Sequence, residues 1–190
     1  MSKQNLRAYY RAQRHALSDA TQLQHAHQAS FLLQQLPEWQ NWQHVAFYWP
    51  HDSELSLLSS LSLAIQEGKS CYLPALNEEG DLSFKACTLE SSMRLNTFGI
   101  PEPETALCFP PEKLDCVLLP MVSFDSEGNR LGRGKGYFDK TFAFKRWDSA
   151  PLLIGVAHEC QRAAKLKPEA WDIPLNGILT EAGYYRIMPA

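Results

Sequence analysis

The chain has 190 residues, 45% of them hydrophobic, which is enough to close one sizeable core without help from metals or disulfides. A formal net charge of -3 argues against a general polyanion binder, so an anionic ligand must be held by a local cluster of cations. Five scattered cysteines with no CxxC pair fit neither a disulfide framework nor a zinc site, and read as reduced thiols of a cytoplasmic protein.

The opening MSKQNLRAYYRAQRH has no apolar core for a signal peptide, and no later run is apolar for long enough to span a bilayer. A soluble, unexported protein is expected. Helical spacing of apolar and long side chains predicts a first helix over residues 4–17. Ser18 is placed to cap a second helix that runs to about residue 36. Lys3, Arg7 and Arg11 recur at four-residue spacing and Arg14 follows three later, giving the first helix a basic face, in the simplest reading a solvated one. Short apolar runs then predict buried strands at residues 44–49, 70–74, 116–120 and 152–157. Residues 55–66, closed by Gly68, and residues 136–147 read as the helices between them. Residues 82–87 and the pair within 177–188, parted by Glu181, Ala182 and Gly183, read as antiparallel pieces. The proline-rich stretch 97–111 reads as an ordered loop. The expected fold is therefore α/β and one domain over residues 1–190: a mostly parallel, Rossmann-like sheet covered by helices on both faces, with antiparallel additions.

One segment carries chemistry on its face. RLGRGKGYFD, residues 130–139, follows a strand and precedes a helical pattern. Gly132, Gly134 and Gly136 alternate with Arg133 and Lys135, so amide N–H groups and positive side chains can surround a phosphate. It is not the common P-loop, because Asn129 holds the place of the first glycine and Gly136 that of the Ser or Thr. It also fails the dinucleotide GxGxxG pattern at Tyr137. Composition alone leaves a plain glycine turn as an equal alternative. Asp139, in the first helical turn, favours the helix dipole and is also of the type that holds Mg2+ beside phosphates.

This loop, preceded by LLPMVSFDSEGN, resembles the signature of the 5-formyltetrahydrofolate cyclo-ligase family, also called methenyltetrahydrofolate synthetases. The resemblance extends to KQNLR at 3–7, YWPHDSEL at 48–55, FGIPEP at 98–103 and WDIPLNGILTE at 171–181, in the family's order. It implies an ATP-dependent closure of 5-formyltetrahydrofolate to 5,10-methenyltetrahydrofolate with release of ADP and phosphate. The small-molecule partners are then ATP and the folate, without nucleic acid or membrane, and the assembly a monomer or weak homodimer. It implies an ATP site on Lys3, Gln4, Asn5, Leu6 and Arg7 together with Arg130, Leu131, Gly132, Arg133, Gly134, Lys135, Gly136, Tyr137 and Phe138. Arg133 and Lys135 are the expected catalytic cations. The folate is expected at Trp49, Glu54, Arg133, Gly134, Lys135, Gly136 and Tyr137, and Mg2+ at Asp139 and Asp172. Without the resemblance, Glu54 stands just after a strand end, on the usual ligand side of an open α/β sheet, with a first-turn helix acid as the plain alternative, and Asp172 is part of an ordinary turn.

Other residues read as structural. Glu102 and Asp125 are expected to fix loops, Arg11 and Arg14 to steer or brace, and the six histidines show no metal-ligand spacing, His51 and His158 included. Asn176, Ala75 and Phe138 depart from the family's usual aspartate, lysine and tyrosine without removing a core group. Two rival readings are a noncatalytic nucleotide- or RNA-binding relative and a sugar-phosphate or CoA-dependent enzyme. The first has no need of both Asp139 and Asp172, and the second lacks a convincing nucleophile.

Overall fold

The structure is a computed structural model that describes residues 1–77 and 81–188. Helix α1 (Lys3–His15) starts where the Ser2 hydroxyl accepts from the Asn5 amide at 3.2 Å, and α2 (Asp19–Gln34) where Ser18 does the same for Thr21 at 3.2 Å. Each hydroxyl pairs a donor that a helix N-terminus otherwise leaves open. Next in chain order are β1 (His44–Ala46), α3 (Leu58–Gln66), β2 (Ser70–Leu76), β3 (Leu82–Cys87), β4 (Met93–Leu95), β5 (Pro101–Pro103) and β6 (Cys108–Phe109). The chain continues through β7 (Cys116–Pro120), β8 (Ser123–Phe124), β9 (Arg130–Leu131), α4 (Tyr137–Thr141), β10 (Leu152–Val156), β11 (Gly177–Thr180) and β12 (Gly183–Arg186).

The central sheet has eight strands in the order β12-β11-β10-β7-β1-β2-β3-β6. Pairings from β11 through β10, β7 and β1 to β2 are parallel, and β12, β3 and β6 are added antiparallel. Side chains alternate between faces along each strand. Val45, Leu73, Leu118, Ile154 and Leu179 meet Ala29 and Leu33 of α2 and Leu61 and Ala64 of α3. Their neighbours Ala46, Tyr72, Val117, Leu119, Leu153 and Ile178 face the other way, onto Phe124, Phe142 and Leu175, with Phe138 of α4 packed alongside. The mostly parallel α/β sheet is thus as expected, but its two covers are unequal: two full helices on one face, a five-residue helix and loops on the other.

Three local expectations need correction. The helix after β1 begins at Leu58, not at residue 55, because Asp52 and Ser53 take left-handed backbone (φ 59° and 58°) and hold residues 51–57 as a loop. The helix after the glycine loop ends at Thr141 rather than near residue 147. Beyond it the Lys145 ammonium donates to the carbonyls of Arg146, Trp147 and Ser149 at 2.5, 3.2 and 2.8 Å, gathering the chain into a turn. The stretch 97–111 is not all loop: β5 pairs with β4 as a hairpin and β6 extends the edge of the sheet at β3.

Candidate functional site

From the centre of the sheet, β2 follows β1 to one side, while β7, β10 and β11 continue to the other. Loops leaving the carboxyl ends of strands at such a reversal diverge and leave a crevice. Between β1 and β7 it is a cavity of about 530 Å³, within the roughly 300–1,000 Å³ of ordinary ligand pockets.

One end of the cavity is built from the glycine loop and from α1. Gly134 (φ 98°) and Gly136 (φ 68°) have backbone that other residues adopt only with strain, and Gly136 is the residue that opens α4. A Cβ at Gly134 would also stand 3.2 Å from the Arg7 guanidinium carbon. Arg7 Nε donates to the Gly132 carbonyl at 2.8 Å, tying α1 to the loop. Lys3 pairs with Glu169 at 3.0 Å and lies 4.0 Å from Asp172. Arg130, almost wholly buried, donates to Asp139 and to the Ile173 carbonyl. Burial lowers its pKa, against the opposing charges of Asp139 and Asp172. Lys135 lines the cavity and is exposed.

The other end is apolar. Trp49 leaves β1 and packs on the core beneath α2 and α3. Tyr48 donates its hydroxyl to the Leu55 carbonyl, and burial pushes its phenol well above the usual value. Leu76, Leu82, Phe98 and Ile100 complete the wall. The β4–β5 hairpin that carries Phe98 and Ile100 between its strands is fastened by Glu102, which accepts from the Leu76 amide at 3.1 Å and from Asn96 at 2.7 Å. Glu102 therefore fixes a loop, as expected, and that loop is a wall of the cavity. Asp125 fixes another by accepting from the amides of Glu127, Asn129 and Leu166.

Between the two ends stands Glu54, its side chain only 6% exposed. Its Oε1 accepts from Arg133 Nη2 at 2.9 Å and its Oε2 from the His51 amide at 3.1 Å. Burial pushes the Glu54 carboxyl above its ordinary pKa, although Arg133 and Arg14 pull the other way. The turn that presents Glu54 is held by α1. Arg11 and Arg14 donate to Asp52 Oδ2 at 2.8 and 2.6 Å, Arg14 also to the Asp52 carbonyl at 2.8 Å, and His15 lies 2.7 Å from Oδ1. Burial works to raise the Asp52 carboxyl, and the two arginines outweigh it, holding the group well below the usual carboxylate range.

Most of the residues singled out in the sequence converge here. Lys3, Arg7, Trp49, Glu54, Arg130, Leu131, Gly132, Arg133, Gly134, Lys135, Gly136, Tyr137, Phe138, Asp139 and Asp172 all line the cavity. Gln4, Asn5 and Leu6 do not: Gln4 and Asn5 are exposed, and Leu6 turns onto Tyr10, Val122 and Leu131. On a helix only one stripe of KQNLR can face the cleft, and that stripe is Lys3 and Arg7. Sequence reasoning missed Leu76, Leu82, Phe98, Ile100 and Trp171. The FGIPEP motif was the available signal for two of them.

Mg2+ commonly takes one or two carboxylates plus phosphate oxygens and water. Asp139 and Asp172 meet that donor chemistry. Asp139 commits Oδ1 to Arg130 and to the Ile173 amide, and Asp172 commits Oδ2 to the Glu169 amide. Their other oxygens accept no hydrogen bond among the described residues.

Residues 1–181 match the 5-formyltetrahydrofolate cyclo-ligase family. The 5-formyltetrahydrofolate cyclo-ligase of Haemophilus influenzae is 34% identical over 140 residues, covering 71% of this chain and 74% of that protein. Its Escherichia coli counterpart is 33% identical over 175 residues, covering 90% and 95%. The NMR structure of Aquifex aeolicus 5,10-methenyltetrahydrofolate synthetase superposes with a TM-score of 0.87 at 30% identity, over 100% of this chain and 95% of that one. Sequence, fold and the residues gathered in the cleft agree, and the chain belongs to the 5-formyltetrahydrofolate cyclo-ligase family.

Proposed function

We propose that this chain is an ATP-dependent cyclo-ligase that closes 5-formyltetrahydrofolate to 5,10-methenyltetrahydrofolate with release of ADP and phosphate. The observation that carries this reading is the joining of two unlike ends in one cavity. A glycine loop with Arg7, Arg133 and Lys135 suits a triphosphate, and an apolar wall beside the buried Glu54 suits a planar ring with N–H donors.

The chemical difficulty is that a formyl oxygen on nitrogen leaves poorly. Attack of that oxygen on the γ-phosphorus breaks the bond to ADP and leaves a phosphorylated oxygen on the formyl carbon. N10 then attacks that carbon, the carbon–oxygen bond breaks, phosphate leaves, and loss of the N10 proton completes the ring. Neither step needs a covalent bond to the protein, so the residues act by alignment and charge neutralisation. Arg133 and Lys135 face the transferred phosphoryl group. Lys3 and Arg7 hold the remaining phosphates, and the Gly132, Gly134 and Gly136 backbone allows their close approach. Trp49 and Glu54 orient the folate ring, with Leu131, Tyr137 and Phe138 bordering the junction. Arg130, already engaged with Asp139 and Ile173, braces the loop beneath the phosphates. Asp139 and Asp172 would hold Mg2+, which when bound neutralises phosphate charge.

Purified protein incubated with Mg2+, ATP and 5-formyltetrahydrofolate is expected to develop the near-ultraviolet absorbance of the methenyl product, with one ADP per ring closed. ATP binding without any such absorbance would overturn the assignment in favour of a noncatalytic nucleotide-binding protein. Omitting Mg2+ or adding a chelator is expected to abolish the rise.

A further inference from the structure

Outside the residues that line the cleft, α2, the segment after β10 and the β11–β12 turn meet at three side chains that the reaction does not use. His25 Nδ1 lies 3.0 Å from His158 Nδ1 and 3.4 Å from Glu181 Oε1, and all three donor atoms fall within 4.8 Å of one another. Among the described residues this is the one group of three or more His, Cys, Asp or Glu side chains so gathered. It is also sheltered: His158 is fully buried, and the side chains of His25 and Glu181 are 17% and 12% exposed.

The His158 ring also accepts from the Gln161 amide, so neutral His25 has one Nδ1 N–H to share between His158 Nδ1 at 3.0 Å and Glu181 Oε1 at 3.4 Å, a three-centre contact that a bound cation would replace. A cation placed among the three atoms accepts a lone pair from each. Metal–ligand distances of about 2.0–2.1 Å in a tetrahedron set ligand atoms roughly 3.3 Å apart; the two separations from His25 Nδ1, 3.0 and 3.4 Å, bracket that spacing, and the third lies within 4.8 Å. Two imidazoles and a carboxylate select zinc and its late first-row neighbours over Mg2+ or Ca2+, which prefer oxygen throughout. The carboxylate is already oriented, because both Glu181 oxygens accept from the Glu159 amide, at 3.2 and 3.0 Å.

We infer that His25, His158 and Glu181 form a second metal site, separate from the cleft, that binds one zinc-class divalent ion with water in the fourth position. The ion fastens α2 to the ends of β10 and β11, so its binding free energy adds to that of folding. It takes no part in ring closure.

The test uses the full chain, stripped with a chelator and titrated with Zn2+ alone or with Co2+ as a visible probe. The expected result is one equivalent bound, a rise in Tm, and for Co2+ the ligand-field absorption of a tetrahedral site. His25→Gln and Glu181→Gln should each weaken Zn2+ binding by at least the roughly 10- to 100-fold typical of losing even a partner one layer out from a metal, and both should keep ring-closing activity. The double change Asp139→Asn with Asp172→Asn should leave this Zn2+ equivalent in place, separating it from metal bound in the cleft. Absence of a zinc-dependent Tm rise in the wild type, or Zn2+ affinity unchanged in both His25→Gln and Glu181→Gln, would overturn the site.

Discussion

Lys135 is exposed on the loop at the polar end of the cavity, so its removal disturbs little packing and tests charge directly. Lys135→Ala is expected to lower kcat on the order of 10²-fold, the usual effect of deleting one donor at a developing charge, with the unfolding midpoint unmoved. An unchanged kcat would remove Lys135 from the chemistry. Glu54 is the opposite case, a buried carboxylate whose pKa lies above its ordinary value. A group raised in the folded state favours folding below its unfolded pKa and loses that contribution as pH rises through the folded one. Glu54→Gln, fixed in the uncharged form, is therefore expected to melt higher than wild type near pH 7. The advantage should fade below the ordinary glutamate range, and folate KM should rise at every pH. Melting curves across pH and steady-state kinetics check both halves. The glycine loop was legible as a candidate because its residues are contiguous: alternating glycines and cations mark a segment that lines the cavity, although composition alone left a plain turn as an equal alternative. Phe98 and Ile100 were not, since an exposed or half-buried apolar residue in a loop looks the same whether it borders solvent or a ligand. His25 and His158 lie 133 residues apart, and no spacing rule reaches across that interval.

At the scale of elements, α1 acts as a strut. Its first turns reach the glycine loop through Arg7, and its last turns hold the turn before Glu54 through Arg11, Arg14 and His15. Arg14 is wholly buried and its partner Asp52 partly so, with 14% of its side chain exposed. Removing one member of a buried pair leaves an uncompensated charge, at a cost on the order of 3 kcal/mol. Asp52→Ala is expected to lose about that much stability in urea unfolding and to raise folate KM as the turn relaxes. Because Asp52 titrates below its ordinary value when folded, its stabilising effect is present at neutral pH and is lost as pH falls through the acid range. Wild type and Asp52→Ala should therefore converge in stability on acidification; parallel curves would show that the carboxylate is not the stabilising group. Helical periodicity and Ser18 predicted α2 closely, because both signals are local. The start of α3 and the end of α4 were misjudged, since left-handed Asp52 and Ser53 and the Lys145 ammonium act through contacts invisible in a periodicity. The β4–β5 hairpin was hidden by its prolines, which suit a two-stranded ribbon with no third strand to bond.

For the whole molecule, four of the five parallel strands were readable because buried parallel strands are apolar on both faces; β11, read with β12 as an antiparallel addition, also pairs parallel with β10. The order of the strands was not readable, because pairing joins segments far apart in the chain and composition carries no address. That order decides where the cleft lies, and with it which residues meet. One such meeting is the ion pair of Arg133 with Glu54, which bridges the glycine-loop end and the apolar end at 2.9 Å. Under the proposed roles, a folate that takes over Glu54 Oε1 displaces Arg133, and the freed guanidinium is then available to a triphosphate. Occupancy at either end thus lowers the work of filling the other, and thermodynamic reciprocity makes the enhancement equal in both directions. Measured with a non-hydrolysable ATP analogue, the nucleotide Kd is expected to tighten when folate is present, by the same factor as the folate Kd tightens with nucleotide. Arg133→Gln should make the two affinities independent.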